Sequence, residues 1–119
     1  MHEPLEVRKG DRLAVVTLRG ELDAHDAPRL RELFADAIGE VADLAEPCLV
    51  LDLTAVAFLD STALGSIVGA VRRIRETGGE LSVVLPSSPA RRIFEITGLD
   101  TILSVYSSRA EALASSRPQ

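Results

Sequence analysis

Residues 48–53 read CLVLDL, five apolar side chains and one acid in six positions. Side chains on a strand alternate between its two faces. An apolar run without polar alternation therefore predicts a strand covered on both sides, as in the interior of a parallel sheet. LAVVTL at 13–18 and LSVVL at 81–85 have the same character. A chain with such strands must also supply the layers that cover them.

The intervening segments supply those layers. From Ala27 to Ala42, the residues Leu30, Leu33, Phe34, Ala37, Ile38 and Val41 recur at helical spacing. Asp26 stands as N-cap before Ala27-Pro28. A second helix is predicted from Ser61 to Thr77, closed by Gly78-Gly79. A third runs from Pro89 to Thr97 between a Ser88 cap and Gly98, and a fourth from Ser108 to Ala114. Leu5 to Val7 reads as a short edge strand, with Gly10-Asp11 turning into the strand at 13–18. Gly20-Glu21-Leu22-Asp23 reads as a loop at that strand's end, and Ile102 to Val105 as a last short strand. The order ββαβαβαβα predicts an α/β domain, a mainly parallel, mixed sheet of about five strands with four helices packed on it. One domain is expected over 1–114, with 115–119 as a frayed tail.

Composition narrows the function. The chain is 46% hydrophobic but only 3% aromatic, so its core is aliphatic and aromatic stacking of a cofactor is not expected. A net charge of −5 argues against nucleic-acid and anionic-membrane partners. Lys9 is the sole lysine. Cys48 is the sole cysteine, which rules out an intrachain disulfide and reads as a small buried residue. No His/Cys cluster points to a metal. The opening MHEPLEVRKGD lacks a signal-peptide pattern. Leu64 to Val71 is too short to span a bilayer. A cytoplasmic monomer without cofactor is expected.

The stretch FLDSTALGS, Phe58 to Ser66, carries the functional question. On a helical wheel, Leu64, Ile67, Val68, Val71 and Ile74 form an apolar stripe flanked by Ala63 and Ala70. The opposite face carries Thr62, Gly65, Ser66, Gly69, Arg73 and Glu76. A glycine inside a helix costs about 1 kcal/mol relative to alanine. Two of them one turn apart on an exposed face have two readings: close packing within the domain, or a flat surface for a partner's backbone. On local physics Ser61 reads as a helix cap, with Asp60 suited to the positive end of the helix dipole. Arg72-Arg73 and Arg91-Arg92 read as solvated faces.

Asp60-Ser61-Thr62-Ala63-Leu64-Gly65, preceded by LVLDLTAVAFL and by Gly20-Glu21-Leu22-Asp23 upstream, resembles the signature of STAS-domain anti-sigma factor antagonists. The resemblance covers nearly the whole chain, including its length and element order. It implies a partner switch in which Ser61 is phosphorylated by an anti-sigma factor that is also a kinase of the histidine-kinase-like ATPase fold. The unphosphorylated form would bind that factor and release a sigma factor, and a phosphatase would restore the serine. The partner-binding residues implied are Glu21, Asp23, Asp60, Ser61, Thr62, Gly65, Ser66, Gly69 and Arg73. Phosphorylation adds about −1.5 to −2 charge. Asp60 is adjacent, and Asp23 and Asp52 are expected at nearby strand ends, so burying the dianion against a partner is costly. Two positions depart from the family pattern: Ala63 replaces the commoner glycine, and Asp26 lies where threonine is frequent.

Other chemistries fit less well. A serine hydrolase lacks a placed histidine, since His2 is terminal, His25 reads as an exposed loop residue, and no Gly-x-Ser-x-Gly elbow is present. A receiver domain with Asp52 as phospho-acceptor lacks a late lysine. No Gly-x-x-x-x-Gly-Lys-Ser/Thr phosphate loop occurs. The alternative within the same resemblance is a STAS subunit of a lipid-transport ATPase complex or of a stress-sensing assembly. The full Asp-Ser-Thr motif with Gly-Glu-Leu-Asp favours the sigma-regulating branch.

Overall fold

The computed structural model describes residues 5–116; His2 and the last three residues of the expected tail lie outside them. Strands β1 (Leu5–Arg8), β2 (Leu13–Leu22), β3 (Cys48–Leu59), β4 (Glu80–Val84) and β5 (Ser104–Tyr106) form one sheet in sequence order. β1 is antiparallel to β2, and every later pairing is parallel. Helices α1 (Ala27–Val41), α2 (Ser61–Glu76) and α3 (Pro89–Thr97) are the three crossovers, and α4 (Arg109–Ser116) follows β5. Crossovers of one hand that advance the sheet in one direction fall on one face. Residues of α1, α2 and α3 accordingly share one core with Leu49, Leu51 and Leu53. α4 lies on the other face, where Ala112 packs with Leu13, Val15, Cys48, Val50 and Val84. β3 is therefore covered from both sides through its first half, as CLVLDL requires.

β2 and β3 run further than the sequence indicates. Gly20, Glu21 and Leu22 belong to β2 and pair with Val56, Phe58 and Leu59. Two register shifts, at Thr17/Arg19 and at Gly20/Glu21, let the pairing continue. Gly20 takes φ +79, a conformation glycine adopts without a Cβ penalty. Both shifts place the extra residue on β3, and the glycine that looks like a loop signal is a paired residue of β2 beside the second of them. β3 pairs with β4 only as far as Asp52↔Val84, so the ends of β2 and β3 project as a two-stranded ribbon beyond the sheet.

Asp52 differs from its expected place. It lies within β3, 8% exposed, on the α4 face and away from α2. Arg109 Nε and Nη2 both sit 2.9 Å from its Oδ2, and Arg109 also donates to Thr17 at 2.8 Å. Thr54 donates to Oδ1 from its hydroxyl at 2.6 Å and its amide at 3.0 Å. Burial pushes the Asp52 pKa up, but the Thr54 bonds and the Arg109 guanidinium outweigh it and hold the carboxyl below its usual range. This network fastens α4, which buries little besides Ala112, to the sheet. Arg91 is no free surface cation either; it donates to Leu85 O at 3.0 Å and Ser107 Oγ at 2.9 Å.

The helices keep their expected faces except on α2, where half-buried Gly69 and two further residues depart. Ser66, placed on the exposed face by the wheel, is 7% exposed because α1 packs along that flank. Val68, placed in the buried stripe, is only half-buried. Ser88 caps α3 by accepting from Arg91 N, and Gly98 ends it at φ +75. The α2–β4 turn depends on Gly79, where a Cβ would lie 2.1 Å from Pro47 O. α4 ends at Ser116, two residues beyond the predicted end.

Candidate functional site

The site forms where the β2–β3 ribbon meets α2. Asp60 leaves β3 in an extended conformation, and its amide donates to Leu22 O at 3.0 Å. Its two carboxylate oxygens then serve different elements. Oδ1 accepts from Ala63 N at 2.9 Å and caps α2; Oδ2 accepts from Ala24 N at 2.9 Å and holds the β2–α1 loop. Asp60 is thus the cap, and the reading of Ser61 as cap is corrected. The first intrahelical bond, Leu64 N to Asp60 O, encloses Ser61 in the first turn. The Ser61 side chain is exposed and makes no hydrogen bond among the described residues.

The loop beside it is knit by its own acids. Asp23 accepts from His25 N at 2.9 Å. Asp26 accepts from Asp23 N at 3.0 Å, so its carboxylate turns back into the loop and gives no side-chain cap to α1, although it occupies the N-cap position. Pro28, already lacking an N–H, sits in the first turn as predicted. Asp23 and His25 are exposed, and Glu21 is exposed at the end of the ribbon. The structure brings together Glu21, Asp23, Asp60, Ser61 and Thr62 at the top of α2. Asp52 is not among them.

Further along α2, Gly65 is exposed and Gly69 half-buried. A Cβ added at either would meet no atom within 4 Å. The reading of the two glycines as close packing within the domain therefore falls. They cost helix stability, about 1 kcal/mol each, without a packing gain inside the monomer. Ser66 is part of the α1–α2 interface, its hydroxyl donating to Thr62 O at 3.3 Å. Arg73 is exposed at the far end of this face.

Phe58 was missed by the sequence reading. Leu59 is 2% exposed and Phe58 is 46% exposed, whereas Phe34 and Phe94 are buried. The signal was the adjacent pair itself: at a period of two, a strand cannot turn both Phe58 and Leu59 into one core. Phe58 lies opposite Glu21 on the ribbon. Among the described residues no His/Cys/Asp/Glu group is arranged to hold a metal ion, and no helix is long and apolar enough to cross a membrane.

Comparison with known proteins bears on this arrangement. The STAS domain profile matches residues 4–112. The chain is 34% identical to the anti-sigma-B factor antagonist of Listeria monocytogenes, over 93% of this chain and 95% of the relative. It superposes on the crystal structure of an anti-sigma factor antagonist from Mycobacterium paratuberculosis with a TM-score of 0.83 and 30% identity, covering 98% and 94% of the two chains. The Bacillus cell fate determinant SpoIIAA in its phosphorylated form matches with a TM-score of 0.71 and 25% identity, covering 98% of this chain and all of that one (100%). Sheet order, helix placement and near full-length similarity agree, and the protein belongs to the STAS domain family.

Proposed function

We propose that this protein is an anti-sigma factor antagonist whose partner binding is switched by phosphorylation of Ser61. The observation that carries the reading is the exposed Ser61 hydroxyl, unbonded among the described residues, directly after a cap that does not need it. Relatives named as antagonists of anti-sigma factors support the partner class. The partner is an anti-sigma factor with a serine-kinase activity on the histidine-kinase-like ATPase fold. A phosphoserine phosphatase reverses the mark. The protein acts in the cytoplasm as a regulatory binding module and not as an enzyme.

In the transfer, the Ser61 Oγ–phosphorus bond forms as the bond from the γ-phosphorus to ADP breaks. The hydroxyl proton passes to a base on the kinase. The product fits the free domain: amides in the first turn of a helix have no intrahelical acceptor and stabilise an anion there. It does not fit the complex. A partner covering Glu21, Asp23, Phe58, Asp60, Ser61 and Thr62 would have to bury a dianion beside carboxylates, at several kcal/mol. Each ~1.4 kcal/mol is tenfold in affinity, so release needs no change of fold.

Calorimetric titration of the anti-sigma partner tests this. Ser61→Ala should bind within about twofold of wild type, and Ser61→Glu at least tenfold more weakly, by about 1.4 kcal/mol or more. Equal affinities for the two variants would remove Ser61 as the switch.

A further inference from the structure

Between α1 and α2 runs a small groove of about 100 Å³ lined by Arg31, Phe34, Gly65, Ser66, Gly69, Ala70 and Arg73. Its floor is buried: Phe34 and Ala70 are each 2% exposed. Its walls are low because Gly65 and Gly69 add no side chains, and the space beside both is open. Arg31 and Arg73 are exposed, and neither has an ion pair or side-chain hydrogen bond among the described residues. In contrast, Arg75, Arg91 and Arg109 are each held by carboxylate, carbonyl or hydroxyl oxygens. Two unpaired guanidinium groups thus line an apolar depression in a chain whose net charge is −5.

The groove also has a direction. Ser61, Gly65, Gly69 and Arg73 follow one another at four-residue spacing, a row along one side of α2. A partner that covers Ser61 and continues along this row reaches the groove and then Arg73. We infer that the groove seats one aliphatic side chain from a helix of the anti-sigma partner, with carboxylates on that helix pairing with Arg31 and Arg73. The inference rests on the proposed function, and adds the chemistry of the partner's contacting helix. The apolar floor of Phe34 and Ala70, with low glycine walls, suits a single aliphatic side chain. The planar, bidentate geometry of arginine suits carboxylates. The carboxylates near Ser61 and the guanidinium groups near the groove then fix the partner's orientation by opposite charges at the two ends of one interface.

The test is calorimetric titration of the intact partner with the whole chain at two salt concentrations. Gly69→Leu fills the groove with a good helix former; affinity should fall at least tenfold while the melting temperature does not fall. Arg31→Gln with Arg73→Gln should also weaken binding at least tenfold at low salt and flatten its salt dependence. If wild type does not bind the partner at all, the functional reading fails. If wild type binds and both variants stay within about twofold with the same salt slope, the groove is not the seat and only this inference is overturned. If Gly69→Leu weakens binding but the arginine pair leaves affinity and salt slope unchanged, the acidic character of the partner helix is refuted.

Discussion

Replacing Asp60 with alanine removes two hydrogen bonds that no other side chain can supply. The bond to Ala63 N is an N-cap, worth about 1 kcal/mol (~0.5–2). The bond to Ala24 N joins the β2–α1 loop to the start of α2, and at a half-buried ionised acceptor contributes about 1–1.5 kcal/mol. Together they predict a loss of about 2–2.5 kcal/mol. In a domain of this size that is a fall of about 8–10 °C in melting temperature. Asp60→Ser separates the two contributions, because serine caps well but cannot reach both amides; it should lose only about 1 kcal/mol. The assay is urea unfolding of the three proteins, combined with amide exchange at Ala24 and Ala63. Asp60→Ser should keep protection at Ala63 and lose it at Ala24, while Asp60→Ala loses both. A stability within about 0.5 kcal/mol of wild type for Asp60→Ala, or an Ala24 amide that stays protected, would refute the two-ended role of this carboxylate.

Three further outcomes follow from the same structure. Arg109→Ala should destabilise by about 1–2 kcal/mol, discounted from a fully buried pair because Arg109 is partly exposed. Because the folded Asp52 pKa lies below its unfolded value, its contribution is present above the unfolded pKa and is lost as pH falls through the folded one; in Arg109→Ala this acid loss, followed by urea midpoints from neutral pH downward, should be smaller. Gly65→Ala should stabilise the isolated domain by about 0.5–1 kcal/mol, since the new methyl meets open space, yet weaken binding of the anti-sigma partner in calorimetry; weakened stability would mean that the glycine is needed inside the monomer. Phe58→Ala should leave stability within about 1 kcal/mol and lower partner affinity at least tenfold, as expected of an exposed aromatic at an interface; unchanged affinity would place Phe58 outside the contact.

The sequence by itself determined the layers and their order. Apolar runs at 13–18, 48–53 and 81–85 read as buried strands, and the helical spacing from Leu30 to Val41 leaves one face for a core. Caps and stops that act within a few residues, such as Ser88, Pro28 and Gly98, were also legible, because their physics is local. The motif around Ser61 marked the segment on which the proposed switch rests. Tertiary structure decided what depends on residues distant in sequence. Gly20 became a paired strand residue instead of a loop because β3, with its extra residues, was there to pair beyond it. Ser66 became buried because α1 lay against that side of α2, which a wheel of one helix cannot represent. Asp52 went to the α4 face because strand parity put it opposite Leu51 and Leu53, where Arg109 from the chain's far end could reach it. The two oxygens of Asp60 were divided between Ala63, three positions away, and Ala24, 36 positions away, and that division left the Ser61 hydroxyl without a bond among the described residues.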